Sequence, residues 1–318
     1  MSYEPAWWLG NAHLMTIYGR VARWPPRLPF HRERWELPDG DFVDVDRLDA
    51  GRDAPLLVIL HGLEGSSSAS YVRGLAAAAF ATGLSSLALS FRGCSGELNR
   101  LARFYHSGDT ADLAHVVTRL EAERPGRPLL LAGFSLGGNV VAKFLGERGA
   151  GAPASVRAAA VISAPFDLAG CARALDGPGA WQRLYRGLFL RSLRRKAIEK
   201  AARYPREIDA AAAARATTFA EFDGWITAPL HGFASAEDYW ARCSSGPLLP
   251  NVARPLLAVA AADDPFVPVA TVPRAVANPA VTLEITEAGG HLAFVSGRPW
   301  APHRWAEQRA LEFLRERL

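Results

Sequence analysis

Gly133-Phe134-Ser135-Leu136-Gly137 follows the apolar run 129–132 and opens a helical pattern that continues to Leu145, so a serine stands at a strand-to-helix turn. Such a turn is a nucleophile elbow. It is sharp enough to force the serine into a strained backbone conformation, and side chains two residues either way would strike the neighbouring strand and helix. Glycine at both positions avoids the collision and leaves the hydroxyl exposed at the positive end of a helix. Five-residue matches of this kind also arise by chance in turns, so the surrounding chain decides the meaning.

Short continuous apolar runs recur at 56–60, 86–91, 158–162, 256–261 and 281–285, and with 129–132 they read as buried parallel strands. Helical patterns at 71–81, 110–123, 137–147 and 302–317 lie between or after them, the alternation of a wound α/β sheet flanked by helices. Upstream, 33–37 and 42–48 flank Pro38-Asp39-Gly40 and predict an antiparallel hairpin at the sheet edge. The alternation breaks across 165–254, which holds an arginine-rich helical stretch at 181–204, an alanine-rich one at 208–216 and an aromatic-rich one at 219–240. This segment is expected to be a helical cap inserted before the last two strands, over the strand ends where ligands bind in such sheets. The expected organisation is therefore a core of 1–164 and 255–318, with an N-terminal extension at 1–32, and a cap at 165–254.

With 318 residues, 49% of them hydrophobic and 21% charged, the chain can bury a full core. Its net charge of +4 is carried by arginine, since lysine occurs only at Lys143, Lys196 and Lys200. No basic stretch with interleaved aromatics forms a recognised module, so no nucleic-acid partner is expected. Cys94, Cys171 and Cys243 lack CxxC spacing, which argues against a disulfide framework and a zinc site and for a reducing, cytoplasmic setting. The chain opens without a basic n-region or a sustained apolar stretch, and no transmembrane segment is expected. No Walker, GxGxxG, EF-hand or HExxH context occurs, so neither metal nor cofactor is expected.

A serine hydroxyl needs a general base, and the base needs an orienting acid. At this kind of elbow the order along the chain is Ser, then Asp or Glu, then His. After the strand at 256–261 comes Ala262-Asp263-Asp264-Pro265-Phe266-Val267, and after the one at 281–285 comes Glu287-Ala288-Gly289-Gly290-His291. Ser135, Asp264 and His291 are thus the candidate triad. Asp264 is chosen because it directly precedes Pro265 and the apolar Phe266 and Val267; Asp263 is expected to serve as a turn or capping residue. The oxyanion donors are expected to be the backbone N–H of Leu136 and that of Leu63, in the loop His61-Gly62-Leu63-Glu64-Gly65. His61 itself reads as structural, and His303 as a residue on a surface helix. Haloalkane or epoxide opening would require a carboxylate at the elbow, so serine favours acyl transfer on an ester, thioester or amide.

With these segments in place the sequence resembles the α/β-hydrolase superfamily, and within it the YheT-like branch, AB hydrolase family 4. The similarity covers nearly the whole chain. It rests on Asn11-Ala12-His13-Leu14 with Thr16, on His61 to Gly65, on Phe91-Arg92-Gly93-Cys94-Ser95-Gly96-Glu97, and on Tyr105-His106-Ser107-Gly108-Asp109-Thr110. In the cap it adds Phe222-Asp223, Thr227 to Phe233 and Asp238-Tyr239. The resemblance implies a serine carboxylesterase acting on short- to medium-chain acyl esters, with a small-molecule ester as partner. Alternatives are a lipase or lysophospholipase, its arginine-rich cap helix meeting an anionic membrane, and a silent binding protein on the same scaffold; peripheral membrane contact is not the leading expectation. Met15 stands where the family commonly has Gln, and Trp240 where it has a second Tyr; both are expected to bear on the pocket. Cys94, His106, Asp223 and His231 are expected to serve packing, and His13 is a candidate for the mouth of the site.

Overall fold

The computed structural model describes residues 2–22 and 28–318, so residues 1 and 23–27 of the extension expected at 1–32 lie outside it. After the N-terminal helix α1 (Ala12–Val21), strands β1 (His31–Glu36) and β2 (Phe42–Leu48) form the expected hairpin. There follow β3 (Leu56–Leu60), α2 (Ser70–Ala81), β4 (Ser85–Ser90), α3 (Ala111–Glu123), β5 (Leu129–Phe134), α4 (Leu136–Arg148) and β6 (Val156–Ile162). The chain then enters α5 (Leu168–Leu175), α6 (Ala180–Ala201), α7 (Ala210–Arg215), α8 (Phe219–Phe222), α9 (Ala228–Leu230) and α10 (Ala236–Cys243). It returns through β7 (Leu256–Ala261), β8 (Val281–Thr286), the small hairpin β9 (Val295–Arg298) and β10 (Ala301–Arg304), and α11 (Trp305–Arg315).

The main sheet has the order β1-β2-β4-β3-β5-β6-β7-β8. β1 and β2 are antiparallel, β2 meets β4 antiparallel, and from β4 to β8 every pairing is parallel. Strand alternation sends Leu56, Val58 and Leu60 into the core beneath α3 and α4, and Leu57 and Ile59 into the one beneath α2 and α11. Both faces are covered, which is why the central strands read as unbroken apolar runs. β8 departs from the buried strand expected there: among the described residues it pairs only with β7, at the sheet edge, and its residues are half-buried, with Ile285 exposed.

The C-terminal pattern also differs. The helix expected from 302 begins at Trp305, and His303 sits in β10 rather than on a helix. Within β9, Gly297 adopts φ of +80°, and a Cβ there would lie 2.7 Å from the Ala301 carbonyl oxygen. Near the sheet edge, the turn carboxylates Asp39 and Asp41 accept hydrogen bonds from Arg92, whose guanidinium also grips Asp112 of α3 through two bonds of 2.8 and 2.6 Å. Among the described residues, no helix is long and apolar enough to cross a membrane.

Candidate active site

Ser135 joins β5 to α4 with φ 50° and ψ −121°, a conformation that non-glycine residues rarely adopt. The two flanking glycines are forced by close approach. A Cβ on Gly133 would lie 2.4 Å from the Gly137 carbonyl oxygen, and one on Gly137 would lie 2.5 Å from the His61 carbonyl oxygen. The elbow is therefore wedged between its own helix and the end of β3.

His291 Nε2 stands 3.0 Å from Ser135 Oγ, and its Nδ1 stands 2.9 and 3.1 Å from the two oxygens of Asp264. A carboxylate facing Nδ1 fixes the proton there and leaves the Nε2 lone pair aimed at the serine. Asp264 Oδ1 also accepts from the N–H groups of Phe266 and Val267, so the turn after β7 orients the acid. Asp263, the expected turn residue, accepts from Gly290 N–H at 2.9 Å and so ties the end of β7 to the histidine loop. Gly62 lies against the elbow, its would-be Cβ 3.1 Å from Ser135 Cβ. Leu63 and Leu136 both line the cavity with Ser135, and their backbone N–H groups have no backbone or side-chain acceptor among the described residues. His61 donates from Nδ1 to Gly62 O and accepts at Nε2 from Phe91 N–H; burial holds its pKa down at about 4, a neutral ring pinning the loop.

Three further holds had no local signal. Thr16 Oγ1 accepts from His291 N–H at 2.9 Å and donates to Ala12 O, so α1 supports the histidine loop. Asn139, one turn beyond the serine, donates to the carbonyls of Ser107 and Cys243 and accepts from Ser245 N–H, binding the elbow helix to the loop before α3 and to the exit from α10. Glu64 meets Lys196 of α6 at 2.9 Å and also accepts from Tyr105 and Ser192. The family strings around Thr16 and Glu64 were visible, but their partners lie 275 and 132 residues away.

The cavity over Ser135 encloses about 1070 Å³ of empty space, its open mouth included. Phe104, Phe189, Phe219, Phe222, Phe266 and Ile226 make it largely apolar. At its polar side Asp223 accepts from Thr227 Oγ1 and Trp240 Nε1, and burial raises its pKa to about 6. His106 Nδ1 accepts from Gly108 N–H, and burial pushes its pKa down to about 2; His231 places its nitrogens against the carbonyls of Thr227 and Phe104. Lys196 Nζ, an ammonium and so no base, donates to Cys94 Sγ at 3.3 Å, and burial carries the thiol up to about 11, so it stays protonated. Trp240 lines the cavity, whereas Met15 packs away from it with Ala6 and Leu9. His13 stacks on Trp181 at 4.5 Å and hydrogen-bonds Tyr185. No cluster that could hold a metal ion occurs among the described residues.

The family described as alpha/beta hydrolase fold matches residues 55–297. An Escherichia coli protein provisionally named an esterase, YheT, is 38% identical over 310 residues, covering 96% of this chain and 90% of its own length. Mouse phospholipase ABHD3 is 29% identical, covering 93% and 74% respectively, and a monoacylglycerol lipase of Saccharomyces cerevisiae is 28% identical, covering 86% and 61%. Among solved structures, an esterase of Pyrococcus furiosus superposes with a TM-score of 0.58 at 18% identity, covering 91% of each chain, a likeness of fold. A matched core of this extent and a relative so similar along its length assign the chain to the α/β-hydrolase family, as a hydrolase of the YheT-like branch.

Proposed function

We propose that the protein is a serine carboxylesterase that cleaves short- to medium-chain acyl esters through an acyl-enzyme. The observation that carries this reading is the continuous relay from Ser135 Oγ through His291 to Asp264, with contacts of 3.0 and 2.9 Å. His291 Nε2 takes the serine proton as Oγ attacks the ester carbonyl, and Asp264 stabilises the imidazolium that forms. Negative charge on the carbonyl oxygen is received by the N–H groups of Leu63 and Leu136, aided by the positive end of α4. His291 then returns the proton to the departing alcohol, and water repeats the attack on the acyl-enzyme. The insertion 165–254 acts as a cap, and its aromatic inner surface suits an aliphatic acyl chain.

The test is hydrolysis of aryl esters of graded acyl length. A burst of aryl alcohol and labelling by a fluorophosphonate are expected, and both vanish in a folded Ser135→Ala protein. Wild-type turnover by that variant would overturn the assignment. A lipid-directed reading is favoured by the apolar cavity and by relatives named phospholipase and monoacylglycerol lipase. A rate that keeps rising toward long acyl chains would select it.

A further inference from the structure

Large apolar side chains on a soluble surface are ordinarily scattered. Here most of those among the described residues fall on three elements in contact. Trp7 is 76% exposed, and its neighbour Trp8 donates from Nε1 to Gly297 O in β9, which leads to Trp300, 75% exposed at the β9–β10 turn. The same N-terminal segment continues into α1, with Leu14 exposed, and α1 meets α6 through the His13–Trp181 stack. On α6 the exposed residues Trp181, Leu184, Leu188, Arg191, Arg195 and Ile198 fall at helical spacing on one face. The other face of this helix gives Phe189, Leu193 and Lys196 to the cavity.

The exposed charge on this surface is mostly positive. On the outer face of α6, Arg191 and Arg195 are exposed beside one exposed acid, Glu199, while Lys196 and Lys200 turn inward, and Arg298 adds a further cation over the Trp300 ring at 5.7 Å. Tryptophan favours the boundary between water and acyl chains, and arginine the headgroup layer of anionic lipid. We propose that Trp7, Trp300 and the outer face of α6 form a docking surface for an anionic phospholipid bilayer. The surface adjoins the candidate site: a ladder of rings runs from Trp181 through His13, Tyr185 and Phe266 to His291, with centroid spacings of 4.5, 5.7, 4.6 and 4.4 Å. A docked molecule would hold the cavity close to the lipid surface.

The proposal does not depend on the esterase reading, and its test measures binding in the Ser135→Ala background as well as in the wild type. Vesicles of phosphatidylcholine with about one third phosphatidylglycerol are sedimented with the full chain, alongside vesicles of phosphatidylcholine alone. Co-sedimentation with the anionic vesicles, weakened by high salt and at least roughly fivefold poorer in Trp7→Ser/Trp300→Ser and in Arg191→Glu/Arg195→Glu, is the expected result. Thermal melts like the wild type's verify that both variants are folded. Absence of binding to anionic vesicles at low salt would overturn the proposal. So would binding untouched by both double variants, or a wild-type self-association that the tryptophan variant abolishes, which would assign the surface to a second copy of the chain.

Discussion

Replacing Lys196 by methionine removes the ammonium that α6 extends to Glu64, in the loop that carries the Leu63 N–H. The Glu64 side chain is 7% exposed and that of Lys196 13%, so the pair is buried and water cannot readily replace the lost partner. Stripping one member from a buried ion pair costs roughly 3–5 kcal/mol. Glu64 keeps its bonds from Tyr105 and Ser192, which offset roughly 1 kcal/mol each, so a net loss of about 1–3 kcal/mol is expected. Urea unfolding at neutral pH, followed by two probes, reads this directly. The double variant Glu64→Gln/Lys196→Met leaves no stranded charge and should recover part of the loss, with a coupling of about 1–2 kcal/mol. Glu64 sits at φ 53°, a strained position held by Tyr105 at its N–H and by Lys196 at its carboxylate, so loosening it also shifts Leu63. Complete loss of an oxyanion donor costs about 100- to 1000-fold in turnover, and partial misalignment should cost on the order of tenfold. Simple additivity of the two single changes, or a single-variant loss under about 0.5 kcal/mol, would refute the reasoning.

Thr16→Ala deprives the buried His291 N–H of its acceptor; kcat should fall roughly tenfold with KM little changed, while Thr16→Ser restores the rate. Equal rates in the alanine and serine variants would show that α1 merely packs there. Asp223 concerns stability against pH. Its pKa is raised to about 6 in the fold, whereas the unfolded chain releases that proton near 4, so its contribution is complete below about pH 4 and is lost as pH rises through about 6. Asp223→Asn should remove a decline on the order of 1–2 kcal/mol across that interval, seen as urea midpoints that no longer drop between about pH 4 and pH 7.

The parts of this molecule written in local chemistry could be read from the sequence. Ser135 and Asp264 each follow a fully buried strand and His291 follows the half-buried edge strand β8, and short apolar runs bounded by turn residues leave a plain pattern. The elbow glycines, the Pro38-Asp39-Gly40 hairpin and the loop at His61 are likewise local, because backbone geometry dictates the residue types. The hairpin β9–β10 was missed for the converse reason: two four-residue strands, mostly exposed beyond Val295, bury too little to impose an alternation, and Pro299 and Pro302 suggest the start of a helix. α5 was missed within a segment lacking strand punctuation. Pairings such as Thr16 with His291 carry no periodicity at all, since tertiary packing chooses both partners.

The long-range contacts also explain why the apolar patterning around the triad does not by itself describe the site. α6 reaches the loop of Leu63 and Glu64 through Lys196, and it reaches His291 through Tyr185, whose ring packs edge-on to Phe266 at 4.6 Å, itself 4.4 Å from His291. One helix therefore touches the supports of both the Leu63 loop and His291. Moving α6 away from the core would break a buried ion pair and an aromatic stack together, at a cost of several kcal/mol. The residue types on α6 thus answer to three settings at once: Phe189 and Leu193 to the cavity, Lys196 to the buried Glu64, and Trp181 and Leu188 to the exposed outer face.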